Sequence, residues 1–158
     1  MSMTGSPEER LAALGLELPA TAPPLFSYVS TRVAGDLLYI SGQGPRESNG
    51  SYRAGKVGSD VSVEQAYADA RLTGLHLLAV AKEHLGELSR VKAVIKVFGM
   101  VNATADFDRH PQVINGCSDL LVEVLGEPGR HARSAVGVGS LPGGMTVEIE
   151  AILQLSPY

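Results

Sequence analysis

From Thr146 to Gln154 the chain alternates at every position but Ile152. Val147, Ile149, Ala151 and Leu153 fall on one side of an extended backbone, and Thr146, Glu148, Glu150 and Gln154 on the other. This is a strand with one covered face. Just before it stands Leu141-Pro142-Gly143-Gly144, a turn in which proline sets one φ and two glycines are free to take positive φ. The stretch from His131 onward then reads as a first strand, and the whole of His131 to Leu155 as two adjacent strands closed by that turn. Arg133 and Glu148 become a cation and a carboxylate on neighbouring strands. They can form a surface salt bridge, or they can be one half of a small-anion site. Most strand charges face solvent, so the residues alone favour the salt bridge.

Upstream, Ser6-Pro7-Glu8-Glu9 opens a short helix, with Ser6 as cap, Pro7 in the first turn and Glu9 as the capping-box acid. Gly15 stops it, and Pro19 to Pro24 forms an extended linker. Phe26 to Val33 and Asp36 to Ser41 read as a hairpin about Ala34-Gly35-Asp36. The second of these strands ends in Ser41-Gly42-Gln43-Gly44. A glycine there can mark close backbone approach, but a plain turn is the simpler reading. Residues 45–61 are a polar, glycine-rich loop with an Asn49-Gly50 turn.

Ser62-Val63-Glu64-Gln65 is a second capping box, and it opens a long helix from Val63 to Leu85 that stops at Gly86. His76 and His84 fall near its polar side. Val91 to Val101 is a strand with Val91, Ala93, Ile95 and Val97 on one face, and Lys92, Val94, Lys96, Phe98 and Met100 on the other. Phe107 to Leu125 is a third helix, with Pro111 in its first turn. Val113, Cys117, Leu120, Leu121 and Val124 make its buried stripe.

After the N-terminal helix the order is β-β-α-β-α-β-β. The natural solution is an α+β domain with both long helices packed on one face of a mixed sheet. The other face, carrying Val94, Phe98 and Met100, would be half apolar and open in a monomer. A closed homo-oligomer would cover it. Residues 1–24 are expected to be helix and linker, and residues 25–158 a single domain.

The 158 residues can bury a core unaided, and a charged fraction of 19% argues against disorder. A net charge of −4, with no cluster of Lys and Arg, argues against a nucleic-acid partner. A lone cysteine fits a reducing compartment. The first eighteen residues lack the apolar stretch of a signal peptide, and no apolar run approaches a membrane span. The expectation is a soluble, cytoplasmic protein. His76, His84, His110 and His131 have no zinc spacing, and neither a phosphate loop, a dinucleotide fingerprint nor a nucleophile elbow is present. Cys117 lies on an apolar helix stripe and reads as a core thiol.

Several segments resemble the RidA/YjgF family, long labelled endoribonuclease L-PSP. They are Ser41-Gly42-Gln43 after an apolar strand, Val94-Ile95-Lys96-Val97-Phe98, and above all Ala132-Arg133-Ser134 followed by Leu141-Pro142 and Val147-Glu148-Ile149-Glu150-Ala151. The N-terminal helix and the second half of the chain look like a divergent branch rather than RidA proper. The resemblance implies a chorismate-mutase-like fold and a homotrimer with ligand clefts between subunits. It implies hydrolysis of enamines and imines, such as 2-aminoacrylate, to keto acid and ammonia, without a metal or organic cofactor. Arg133 matches the arginine that holds the substrate carboxylate, and Glu148 the acid that positions water. Tyr28, Ser41, Gly42 and the helix residue Asn115 match cleft-lining positions. Ala135 stands where RidA often has cysteine, and Ser27 where proline is common. These departures bear on substrate identity more than on the anion site. The same cleft could instead serve as a non-catalytic binding module for small carboxylates. The ribonuclease label ranks last, because it needs phosphate-binding cations and an acid–base pair.

Overall fold

The structure, a computed structural model, describes residues 4–157; residues 1–3 and Tyr158 at the edges of the expected units lie outside that range. Among the described residues the chain order is α1 (Pro7–Ala13), β1 (Thr31–Ala34), β2 (Leu37–Gln43), α2 (Val63–Leu85), β3 (Val91–Asn102), α3 (His110–Leu125), β4 (Ala132–Val138) and β5 (Val147–Leu155). This is the α+β order read from the residues. The five strands form one mixed sheet in the order β1-β2-β5-β3-β4.

Local chemistry explains most boundaries. Ser6 and Glu9 make a reciprocal capping box at α1. The Ser62 hydroxyl caps α2 by accepting from Gln65 N, but the Gln65 side chain turns away to Asp69, so the second box is only half made. Gly86 ends α2 with φ of 85°. In the first hairpin Gly35 takes φ of 62° and joins Ala34 to Leu37. Two elements are shorter than expected. The first strand starts only at Thr31, and α3 starts at His110, because residues 104–107 close a turn through Phe107 N to Thr104 O.

The largest correction concerns the C-terminal strands, which do not pair. β4 lies parallel to β3 at the sheet edge, while β5 lies antiparallel between β2 and β3. Connection through α3 makes a parallel neighbour for β3, as helical crossovers do. β5 is apolar on its covered face and pairs on both edges. β4, with Gly137 and Gly139 at and beyond its end, takes the edge. Residues 139–146 cross the end of β3, where Asn102 Nδ2 donates to Gly55 O at 3.2 Å and Lys56 Nζ donates to Asn102 Oδ1 at 2.8 Å.

The helices pack on one sheet face over Leu38, Ile40, Val94, Val97, Val101, Val147, Ile149, Ala151 and Leu153. Val94 was expected on the opposite face with Phe98. Pairing steps between Val91/Ala93 and Val94/Lys96 move it into the core and leave Ile95 exposed. The open face carries Tyr39, Lys96, Phe98, Met100, Val136, Glu148, Glu150 and Ile152, and Tyr39 and Val136 are exposed there.

α2 and α3 approach closely over two glycines. A Cβ on Gly74 would stand 3.3 Å from Cys117 Sγ. A Cβ on Gly116 would overlap the Tyr67 carbonyl oxygen, which is backbone and cannot swing aside. Gly116→Ala is therefore expected to force the helices apart and to destabilise the fold by about 3 kcal/mol, on the order of 10 °C in melting temperature. Thermal melting followed by circular dichroism checks this, and an unchanged midpoint would contradict the helix contact. A second tie reaches the sheet. Buried Asp69 accepts from Thr146 Oγ1 at 2.7 Å, Gln65 Nε2 at 2.9 Å and Arg53 Nη1 at 3.2 Å. It thus anchors the start of β5 two residues before Glu148.

Candidate functional site

The expected site residues fall into two groups on opposite sides of the sheet. In the register, Ile40, Ala151, Val97 and Arg133 form one cross-strand row. The first three are core residues, so Arg133 points to the helix side. Met100, Glu148 and Val136 form another row on the open side. Arg133 and Glu148 are therefore neither on adjacent strands nor on one face, and the surface salt bridge between them does not form.

The first group gathers around Glu148. β2 runs past its expected end, and its pairing with β5 steps between Ile40 and Gln43. The step brings Gly42 against Glu148, where an added Cβ would lie 3.0 Å from the carboxyl carbon. Gly42 is thus a point of close approach and not a plain turn: the missing side chain is the space the carboxylate occupies. Gly42, Tyr28 and Glu148 line a cleft of about 570 Å³ together with Phe26, Arg46 and Tyr52. Burial pushes the Glu148 carboxyl above the usual range, and the neighbouring charge of Glu150 adds to the shift. Among the described residues Glu148 has no cation within ion-pair distance. Ser41 does not share this cleft. Its hydroxyl donates to Val29 O at 2.6 Å, and it lines an adjoining depression with Tyr39, Lys96, Phe98 and Glu150.

The second group lies where β4 meets α3. Arg133 Nη1 donates to Asn115 Oδ1 at 2.9 Å and to Ser118 Oγ at 3.1 Å. Both acceptors are neutral, and among the described residues no carboxylate pairs with the guanidinium. Ala135 follows on the same side of β4, packed against the core. Farther along the strand, Gly137 lies under the His110 ring; a Cβ there would collide with Nε2.

Ser118 and His131 were not singled out from the sequence. Helical spacing carries the signal for the first, since it is three residues beyond Asn115, and strand alternation for the second, two residues before Arg133. His76 also differs from expectation. It is buried, not on a polar face, and its Nε2 lies 2.8 Å from Arg46 O. It braces the loop that carries Arg46 into the Glu148 cleft. Burial lowers its proton affinity, outweighing the Arg46 carbonyl that favours the charged ring.

Cys117 sits behind Arg133 and is fully buried; desolvation pushes its thiol up to about 12. Such a thiol is no nucleophile. Cys117→Ser is expected to cost about 1–3 kcal/mol through a buried hydroxyl and to leave ligand binding unchanged. Denaturant titration and calorimetry on the same sample separate the two effects.

No helix among the described residues is long and apolar enough to cross a membrane, and no cluster of three His, Cys, Asp or Glu side chains could hold a metal ion. Residues 8–145 match the family described as "YjgF/chorismate_mutase-like, putative endoribonuclease". Protein TCP17 of Trypanosoma cruzi is 40% identical over 154 residues, spanning 97% of this chain and 96% of that one. Atu1372 of Agrobacterium tumefaciens, a crystal structure of unknown function, is 46% identical over 95% of this chain and 94% of its own, with a TM-score of 0.87. RidA of the Antarctic bacterium Psychrobacter sp. PAMC 21119 superposes less closely, with a TM-score of 0.59 and 29% identity over 88% of this chain and 99% of its own. The sheet order, the two helices on one face and the span of the match together show that this chain belongs to the YjgF/RidA family of chorismate-mutase-like proteins.

Proposed function

We propose that the protein hydrolyses small imines and enamines of the 2-aminoacrylate type in clefts between the subunits of a homotrimer. Arg133 holds the substrate carboxylate and Glu148 positions the attacking water. The observation that carries this reading is the state of Arg133: a half-buried guanidinium held by two neutral acceptors, with no carboxylate paired to it among the described residues. Such a fork suits a planar carboxylate supplied by a ligand.

Arg133 and Glu148 sit on opposite faces of one sheet, so a small ligand that touches both must lie between two chains. The exposed side chains Leu25, Phe26, Tyr28 and Val29 beside the Glu148 cleft, and the open sheet face, offer the surface for that contact. Protonation of the enamine carbon gives an imine whose carbon is already electrophilic. Water adds there, losing a proton, and the resulting carbinolamine expels ammonia to leave the keto acid. The site needs orientation and a proton acceptor more than a strong nucleophile. Glu148, in no ion pair among the described residues and raised in proton affinity, suits that second role. RNA cleavage fits less well, because the chain carries a net charge of −4 and neither group forms a track of cations.

The test has two arms. Sedimentation equilibrium at micromolar concentration is expected to give a trimer, and a stable monomer would remove the cleft. 2-Aminoacrylate generated by an eliminating enzyme is expected to be converted to pyruvate faster with the protein than without it. Pyruvate binding without such acceleration would turn the reading into that of a carboxylate-binding module.

A further inference from the structure

We infer that Ser118 and His131 are positioning residues for Arg133, the imidazole fixing the serine hydroxyl and the hydroxyl oxygen fixing the guanidinium. The inference rests on the reading of Arg133 as the anion clamp. Its direction follows from counting donors and acceptors. His131 Nδ1 lies 2.7 Å from the Gly129 carbonyl oxygen, which can only accept, so Nδ1 carries the proton. In the neutral ring Nε2 is then a bare acceptor, and it lies 2.9 Å from Ser118 Oγ. Ser118 therefore donates its single hydroxyl proton to His131. Its oxygen lone pairs remain for Arg133 Nη1 at 3.1 Å, while Asn115 Oδ1 takes the other Nη1 proton at 2.9 Å.

Both protons of Nη1 are thus matched to neutral acceptors. The edge formed by Nε and Nη2 is left for a carboxylate, in the parallel two-bond geometry that guanidinium favours. The far end of the chain of hydrogen bonds is also fixed. A Cβ on Gly129 would collide with the Leu121 carbonyl oxygen of α3, so the turn at residues 127–129 lies directly on helix backbone. Its carbonyl cannot drift from His131 independently of Ser118. The neutral ring is favoured by burial, and the nearby charge of Arg133 adds to this against the opposing Gly129 carbonyl.

The experiment combines nitrogen NMR of the histidine and arginine side chains with calorimetric titration of pyruvate. Long-range proton–nitrogen spectra are expected to show His131 as the Nδ1-protonated tautomer. In Ser118→Ala, rotation of the Arg133 amino groups is expected to quicken, and pyruvate binding to weaken about 10-fold, with assembly unchanged. Ser118→Thr, which keeps the hydroxyl, is expected to recover most of that loss. If Arg133→Ala abolishes pyruvate binding while Ser118→Ala binds like wild type, the positioning role is overturned and the clamp stands. If Arg133→Ala binds like wild type, or wild type does not bind pyruvate, the clamp reading fails. The NMR arm still decides the hydrogen-bond chain, because an Nε2-protonated His131 or unchanged Arg133 rotation in Ser118→Ala contradicts it whatever pyruvate does.

Discussion

Arg133→Ala is expected to weaken binding of pyruvate-like carboxylates by roughly 30-fold or more. Truncating one partner of a desolvated guanidinium–carboxylate pair typically costs about 2–5 kcal/mol. The lower end applies here, because Arg133 is only half-buried and a bound carboxylate retains other hydrogen bonds. The fold should tolerate the change. Asn115 Oδ1 and Ser118 Oγ lose a donor, but both residues lie near the surface of α3 and can turn to water. Arg133→Lys is expected to rescue poorly. One ammonium cannot satisfy Asn115 and Ser118 and also present two parallel donors to a carboxylate. Calorimetric titration of the three proteins with pyruvate is the measurement. Equal affinity for wild type and the alanine variant would remove the anion site, and with it the mechanism.

Glu148→Gln is expected to separate binding from chemistry. Glutamine keeps the shape beside Gly42 but cannot take a proton from water. Pyruvate affinity should change little, while enamine hydrolysis slows about 100-fold or more, the usual range for loss of a positioned base. The pH dependence has a definite sign. Burial and Glu150 raise the Glu148 proton affinity, so the working carboxylate is lost at a pH above the ordinary carboxylate range as the solution is acidified. The acid limb of the rate profile should sit correspondingly high. For stability the same shift acts in reverse. A carboxyl whose folded value is raised favours folding when protonated. Its penalty develops as pH rises from the unfolded value through the folded one, and it is complete above both. Glu148→Gln removes that penalty, so its melting temperature at neutral pH should be no lower than that of wild type. A variant that hydrolyses enamine at the wild-type rate would take the water-placing role from Glu148.

These residues also show what a one-dimensional pattern carries. Periodicity placed the elements because it records local geometry. Val63 to Leu85 is a helix with the bounds its cap and its glycine set, and β5 keeps the alternation of Val147 to Leu153. Caps and turns were legible for the same reason, since Ser6, Glu9 and Gly35 act on backbone within a few residues of themselves. The side of the sheet on which Val94 falls was not legible. Each extra residue in the pairing of β3 with β5 reverses the alternation, and the two positions where this happens are defined by the partner strand.

The sequence by itself determined the element order, the α+β class, the apolar stripe of α3 that buries Cys117, and the two residue types on which the proposed chemistry turns. Only the tertiary structure decided where those two residues lie. Strand neighbours are chosen by long-range burial, and β5, apolar along its covered face, takes the centre of the sheet while β4 is left at the edge. With β3 between them, Arg133 lies opposite Val97 and Glu148 opposite Met100, three residues farther along, so Arg133 turns to the helices and Glu148 to the open face. The close fit of Gly42 to Glu148 and the seating of Arg133 on Asn115 and Ser118 depend on contacts between segments distant in the chain, and no local spacing encodes them.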